Sequence, residues 1–249
     1  MKKIGIVGGV AWRSTLDYYS EICRRCEECP TPSAPEISIE SLDHTKAVSY
    51  LGIDGDEKSW LQFDEYHRAA LQRLEASGAG FALIASNSPH HRLEAIVRGV
   101  RIPVISILEA VAKESGRMGA TDVLILGTAL TMSSQVFQKE FAKRGIKASG
   151  PDDPNLRSMT IQLTEDLQQG KLNGAADRLR NIAKLSSRNV VCLACTELPL
   201  AFPQQKSLPT FEQDNILYIN STIVHVNAAL SFATKFGDMT GYRPNQFQT

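Results

Sequence analysis

The sequence predicts an α/β protein made of two pseudo-symmetric lobes, each a parallel sheet flanked by helices. Three observations carry this. Glycine-punctuated apolar runs alternate with longer amphipathic stretches, the pattern of buried parallel strands covered by helices on both faces. Strand-to-turn segments from the first half recur in the second at an offset of roughly 110 to 120 residues, as duplication of a βαβ unit would produce. The 249 residues are 43% hydrophobic and 22% charged, enough apolar material for a large core and too much for a disordered chain.

The elements follow in order. Lys3–Val7 is an apolar run closed by Gly8-Gly9, hence a buried first strand; the amphipathic stretch Thr15–Cys29 is the first helix. Ile37–Leu42 reads as the second strand. Lys58–Ala76 is the clearest helix, because Leu61, Tyr66, Ala70, Leu71 and Leu74 recur at helical spacing and Gly78 supplies a stop. Phe81–Ala85 and Val104–Ile107 are strands, with a helix over Ile107–Arg117. The second half runs as strand Asp122–Leu126, helices Ser133–Arg144, Asn155–Gln169 and Ala175–Leu185, strands Asn189–Leu193 and Leu208–Phe211, and helix Ser221–Phe236. Residues 1–102 with 212–249 are expected to form the first lobe and 103–211 the second. Open α/β sheets bind ligands at the carboxyl ends of their strands, so the active site is expected in the cleft between the lobes.

Composition excludes several function classes. Twenty-seven Lys+Arg balance 27 Asp+Glu, and no basic cluster offers the footprint a nucleic acid requires. The longest apolar runs, such as Val190–Cys195, fall far short of the ~18 residues that span a bilayer. Lys2-Lys3 before Ile4–Ala11 imitates a leader peptide, but Gly5, Gly8 and Gly9 interrupt the run and Trp12-Arg13 follows at once; a cytoplasmic protein is expected. Five cysteines, an odd number, argue against a disulfide framework. Cys23, Cys26 and Cys29 suggest a metal cluster, yet on a helix such positions fan over roughly 120° and do not converge, so no metal is expected.

Two turns carry the chemistry. Ser86-Asn87-Ser88-Pro89-His90 and Cys195-Thr196-Glu197 each put a proton-bearing side chain on a turn leaving a parallel strand, at matching places in the repeat. Inverting a carbon beside a carboxylate needs a base on one face and an acid on the other. A thiolate suits the first role if turn amides and helix dipoles lower its pKa. Gly8-Gly9 can bring backbone N–H groups close to an anion, or simply make a tight turn; its spacing lacks the dinucleotide-binding G-x-G-x-x-G. His91, His67 and His225 read as surface or core-edge residues. His90 either supports the neighbouring acid–base group or begins a helix at the surface. Glu197 either orients Thr196 and the thiol or caps the next segment.

Taken together, Gly8-Gly9-Val10-Ala11-Trp12-Arg13-Ser14-Thr15, Ser86-Asn87-Ser88-Pro89-His90, Gly127-Thr128-Ala129-Leu130-Thr131-Met132 and Ala194-Cys195-Thr196-Glu197 resemble, in order, the motifs of the cofactor-independent aspartate/glutamate racemase family. Its members show Gly-Gly-Met, C-N-T-x-H, G-T-x-x-T-M and G-C-T-E. The resemblance implies a racemase without pyridoxal phosphate or any other cofactor, acting on a small dicarboxylic amino acid, with aspartate preferred to glutamate. It implies that Cys195 is the catalytic thiol of the second lobe and that Ser86 stands where a typical member has the first-lobe thiol. Asn87, Ser88, Thr131 and Thr196 match residues holding the substrate carboxylate and amine, and Gly9 and Val10 match the N-terminal turn. His44, Lys46 or Arg13 would meet the distal carboxylate, His44 being the position chosen. A homodimer is implied because the family is usually dimeric.

Ser86 is the main departure, since a hydroxyl is several pKa units less acidic than a thiol. Three explanations stand: relatives with a Gly-Gly-Met-Ser-Trp first motif that carry a hydroxyl here and favour one enantiomer, a replaced cysteine, or the family's decarboxylase branch, which keeps only the second-lobe cysteine. A decarboxylase or isomerase using Cys195 alone and a non-catalytic dicarboxylate or amino-acid binder are the rival functions. Val10 replaces Met, Phe137 stands where Tyr is common, and Asn220 where Asp is frequent.

Overall fold

The computed structural model describes residues 1–29, 34–51 and 56–234. The chain runs β1 (Ile4–Gly8), α1 (Trp12–Glu27), β2 (Ile37–Ser41), α2 (His44–Ser49), α3 (Glu57–Ala76), β3 (Phe81–Ile84), a 3-10 turn (Ser88–Arg92), α4 (Leu93–Ile96), β4 (Val104–Ile105) and α5 (Ile107–Arg117). It continues through β5 (Asp122–Leu126), α6 (Ala129–Ser133), α7 (Gln135–Ala142), β6 (Lys147–Ser149), α8 (Pro154–Gln168), α9 (Ala175–Leu185), β7 (Val190–Leu193), a second 3-10 turn (Leu198–Ala201), β8 (Thr210–Gln213), β9 (Ile216–Asn220) and α10 (Ser221–Thr234). The expected last turn of the final helix, 235–236, lies outside the described residues, as does Pro30 beside the cysteine cluster.

Two compact units result. The first holds residues 1–85, 92–105 and the chain from Val226; the second holds 86–91 and 106–225. In the first, a wholly parallel sheet has the order β2-β1-β3-β4. β1 and β3 are buried along their whole length, so both faces must be covered. Tyr18, Ile22 and Cys26 of α1 with Val226, Ala229 and Leu230 of α10 cover one face, and Phe63, Ala70, Leu71 and Leu74 of α3 cover the other.

The second unit has the order β6-β5-β7-β9-β8, parallel except for the edge pair β8–β9. β9 is absent from the sequence reading, which returned the chain to the first lobe at 212. Its pairing with β7 from Val190 to Leu193 keeps the chain through His225 in the second unit. The segment 86–91 likewise belongs with the second unit although it leaves β3 of the first. The expected helix over 133–144 is α7 at Gln135–Ala142, starting later because Ser134 takes an extended backbone and its side chain caps α7 through the Val136 N–H; the short α6 ahead of it is absent from the sequence reading.

In each sheet the chain steps outward from one central strand and then back to its other side, so a topological switch point lies between β1 and β3 and another between β5 and β7. Such points are where open α/β sheets place ligands.

Candidate active site

At the second unit's switch point, β5 and β7 end side by side. The Ala194 N–H donates to the Leu126 carbonyl at 2.7 Å, tying the two turns together. Gly127 is required by this closeness, since a Cβ there would lie 2.7 Å from the Ala194 carbonyl oxygen. The Thr128 hydroxyl caps α6 by accepting from the Thr131 N–H and lies 3.0 Å from the Thr131 hydroxyl. Thr131 is buried.

Cys195, Thr196 and Glu197 are all buried. The Cys195 thiol donates to Glu197 Oε2 at 3.0 Å, and the Thr196 hydroxyl donates to the same oxygen at 3.2 Å. Glu197 makes no side-chain cap to the 3-10 turn; its Oε2 takes these two hydrogen bonds instead. The expected lowering of the thiol pKa is reversed. Burial, then the adjacent Glu197 charge, push Cys195 well above the usual thiol range, and the turn amides oppose this only weakly. The Cys195 sulfur thus lies buried within hydrogen-bond reach of the Glu197 carboxyl group.

The segment 86–91 joins this cluster through α10. Asn87 Nδ2 donates to Ser221 Oγ at 3.3 Å, and Ser221 Oγ donates to the Leu193 carbonyl at 2.7 Å, two residues before Cys195. Asn87 Oδ1 is buried without a partner. His90 Nδ1 bonds the Ser86 carbonyl at 2.9 Å, and the His90 ring packs edge-on against His225, centroids 5.6 Å apart. Ser86 and Asn87 are buried; Ser88 is half-buried. Burial lowers the half-buried His91 to about 4. His225 and His67, read as surface or edge positions, are both fully buried.

The remaining predicted residues lie in the first unit. Gly9 has φ +84°, and its N–H donates to Thr15 Oγ1 at 2.9 Å, so this amide is engaged within the turn. His44, exposed at the start of α2, hydrogen-bonds through Nδ1 to the Val10 carbonyl, joining the β1–α1 and β2–α2 turns. Lys46 sits over the Tyr66 ring and Arg13 over Trp12. Among the described residues no group of three or more His, Cys, Asp or Glu could hold a metal, and no helix is long and apolar enough to cross a membrane. Burial, with neighbouring sulfurs adding to it, pushes Cys26 up to about 11.

Sequence reasoning missed Ser221 and marked Asn220 only as standing where Asp is frequent. Asn220 Oδ1 accepts from the N–H groups of Thr222 and Ile223 and so caps α10. An Asn-Ser pair ahead of the last apolar helix is a cap signal that could have marked the spot.

Residues 7–229 match the Asp/Glu/hydantoin racemase family. The chain belongs to that family. It is 25% identical over 159 residues to a broad-specificity amino-acid racemase, RacX, of Bacillus subtilis (strain 168), a match covering 57% of this chain and 61% of that protein. The chain thus matches about three-fifths of that relative's length. An aspartate racemase homologue from Pyrococcus horikoshii OT3 superposes with a TM-score of 0.75 at 29% identity, covering 94% of this chain and 99% of the other. The Picrophilus torridus aspartate racemase has the same fold, with a TM-score of 0.74 at 17% identity and 94% of each chain covered. As in other members of this racemase family, parallel sheets flanked by helices build two domains.

Proposed function

We propose that this family member is a pyridoxal-phosphate-independent amino-acid racemase of the cytoplasm, working as a homodimer, that interconverts L- and D-aspartate with a bias towards one direction. What carries the reading is the buried Cys195–Glu197 pair at the carboxyl end of β7, with Ser86 and Asn87 joined to that same strand through Ser221.

The chemistry follows from these contacts. Glu197 takes the thiol proton, leaving a Cys195 thiolate in a site where little water competes for it. The thiolate accepts the α-proton of L-aspartate, and the electron pair delocalises into the α-carboxylate. Hydroxyl donors at Ser88, Thr131 and Thr196 offset that charge. Asn87 Oδ1 is an open acceptor that fits the substrate ammonium. The opposite face regains a proton from water relayed by the Ser86 hydroxyl, with His90 fixing the Ser86 backbone, and the hydroxide left behind takes the proton held by Glu197, which restores the starting state. Because serine is far less acidic than a thiol, that face is the slower one.

Incubation in deuterated water tests this. L-aspartate is expected to gain an α-deuterium with the intact protein, and Cys195→Ala is expected to lower that rate by roughly a thousandfold or more, as loss of an essential base does. Equal exchange by Cys195→Ala would overturn the assignment. Tight aspartate binding with no exchange selects a binder instead, and carbon dioxide release from a substituted malonate selects the decarboxylase.

A further inference from the structure

We infer that Ser221 and His225 are positioning residues, which use the first turns of α10 to hold the Ser86 turn in register with the strand that leads into the Cys195 turn. The kinetic part of this inference rests on the racemase reading above.

The register of the second sheet sets up the arrangement. Leu193, the last residue of β7, pairs with Asn220, the last of β9, so α10 begins beside the Cys195 turn. A serine at a helix start commonly spends its hydroxyl on capping. Here Asn220 does that work, with Oδ1 on the Thr222 and Ile223 N–H groups and Nδ2 donating to the Lys206 carbonyl. The Ser221 hydroxyl is left to do something else, and it uses both of its capacities: it donates to Leu193 and accepts from Asn87. Ser221 is fully buried, so no solvent competes for either bond.

His225 is four residues further on, which places it on the same helix face. It is also fully buried, with its ring edge-on at 81° to His90. His90 in turn holds the Ser86 carbonyl. One helix face therefore grips the turn twice, at Asn87 by a hydrogen bond and at His90 by ring packing, with Ser86 fixed by its own link to His90. Ser221 and His225 themselves lie outside the four motifs quoted above, although both contacts end on residues of the Ser86–His90 motif. They also explain how 86–91 belongs with the second unit although the strand before it belongs to the first.

A positioning role differs from a structural one in what it spares. Losing the Ser221 hydroxyl should loosen the Ser86 turn while leaving the Cys195–Glu197 pair intact. In Ser221→Ala, amide exchange of the peptide spanning 86–91 is expected to rise about tenfold, with that of 122–127 changed less than about twofold, in line with loss of a buried hydrogen bond or two. Deuterium wash-in to L-aspartate draws on the Ser86 turn only for the substrate contacts of Asn87 and Ser88 and should fall about threefold, whereas inversion, which also needs the proton relayed by Ser86, should fall more than about tenfold. Ser221→Thr keeps the hydroxyl and should restore inversion to within about threefold; His225→Ala should repeat the Ser221→Ala pattern more weakly. Unchanged exchange at 86–91, or wash-in and inversion falling by one common factor, would overturn the inference. If the unaltered protein washes deuterium into no amino acid, the racemase reading fails by itself, and the amide-exchange comparison still decides whether α10 holds the turn.

Discussion

The β1–α1 turn of the first unit and the β5–α6 turn of the second come from the same sequence pattern, strand then glycine then Thr/Ser then helix, yet they are built to different ends. In the first, the turn is closed on itself. Gly9 sits at φ +84° with its Cβ direction 2.1 Å from the Leu42 carbonyl oxygen, and its N–H is spent on Thr15. In the second, Gly127 makes room for the Ala194 carbonyl, and the capping Thr128 turns a hydroxyl towards Thr131. The first turn is a backbone clamp; the second is a cradle for the turn that carries the thiol.

The same substitution in each turn should separate the two roles. Gly9→Ala meets a left-handed backbone, which costs roughly 1–2 kcal/mol for an L residue, and collides with backbone atoms of Leu42, so a loss of about 3–5 kcal/mol in unfolding free energy is expected. Gly127→Ala has no left-handed strain to bear. It should cost only about 1–3 kcal/mol yet abolish most α-proton exchange, because Ala194 is displaced and Cys195 with it. Denaturant titration beside deuterium wash-in checks both; if Gly127→Ala keeps full exchange, the second turn is no cradle.

Much of this was legible in the sequence, and the misses have physical reasons. β5, α5 and α9 begin and end where the pattern put them, since their apolar periodicity is uninterrupted. β9 escaped because Asp214-Asn215, at φ 54° and 59°, makes a tight two-residue hairpin that the reading passed over as loop. The six residues of α2 are too few to show a period, although the Asp43 side chain caps them. At the site, Cys195, Thr196 and Glu197 are neighbours in the chain and were visible together. Ser221 lies 134 residues from its partner Asn87, and only the fold brings them into contact. The direction of the Cys195 shift was missed for the same reason, since burial depends on what the rest of the chain packs over the turn.

A second contrast lies in what each unit buries. The first hides His67 in α3 with its ring 4.2 Å from Phe63, Nδ1 bonded to the Phe63 carbonyl and Nε2 unpartnered. Burial, opposed by the Phe63 bond and the Asp64 charge, lowers its pKa from 6.5 to about 4. In the unfolded chain the ring takes up a proton near pH 6.5; in the folded chain it does so only near 4. The stabilisation from the neutral ring is therefore whole above pH 6.5 and disappears as the pH falls from there to about 4, amounting to roughly 3 kcal/mol. His67→Gln should flatten this acid slope between pH 6.5 and 4. An unchanged slope would place the acid sensitivity elsewhere.

The second unit buries a thiol beside a carboxylate, and its pH response is in activity. Glu197 raises the Cys195 pKa through both its charge and its hydrogen bond, after burial itself. It is also the nearest acceptor for the thiol proton. Glu197→Gln therefore has two effects of opposite sign. Removing the charge brings the thiol pKa down, so the rise of exchange rate with pH should begin at lower pH. Removing the acceptor slows thiolate formation, so the neutral-pH rate should fall, by about 10²–10⁴-fold if Glu197 acts as a general base. A lower rate with an unshifted profile would mean that Glu197 only takes the proton; an acid-shifted profile at full rate would mean that it only sets the charge. The two together distinguish a thiol activated by its neighbour from one merely held in place, which the closed turn of the first unit has no group to imitate.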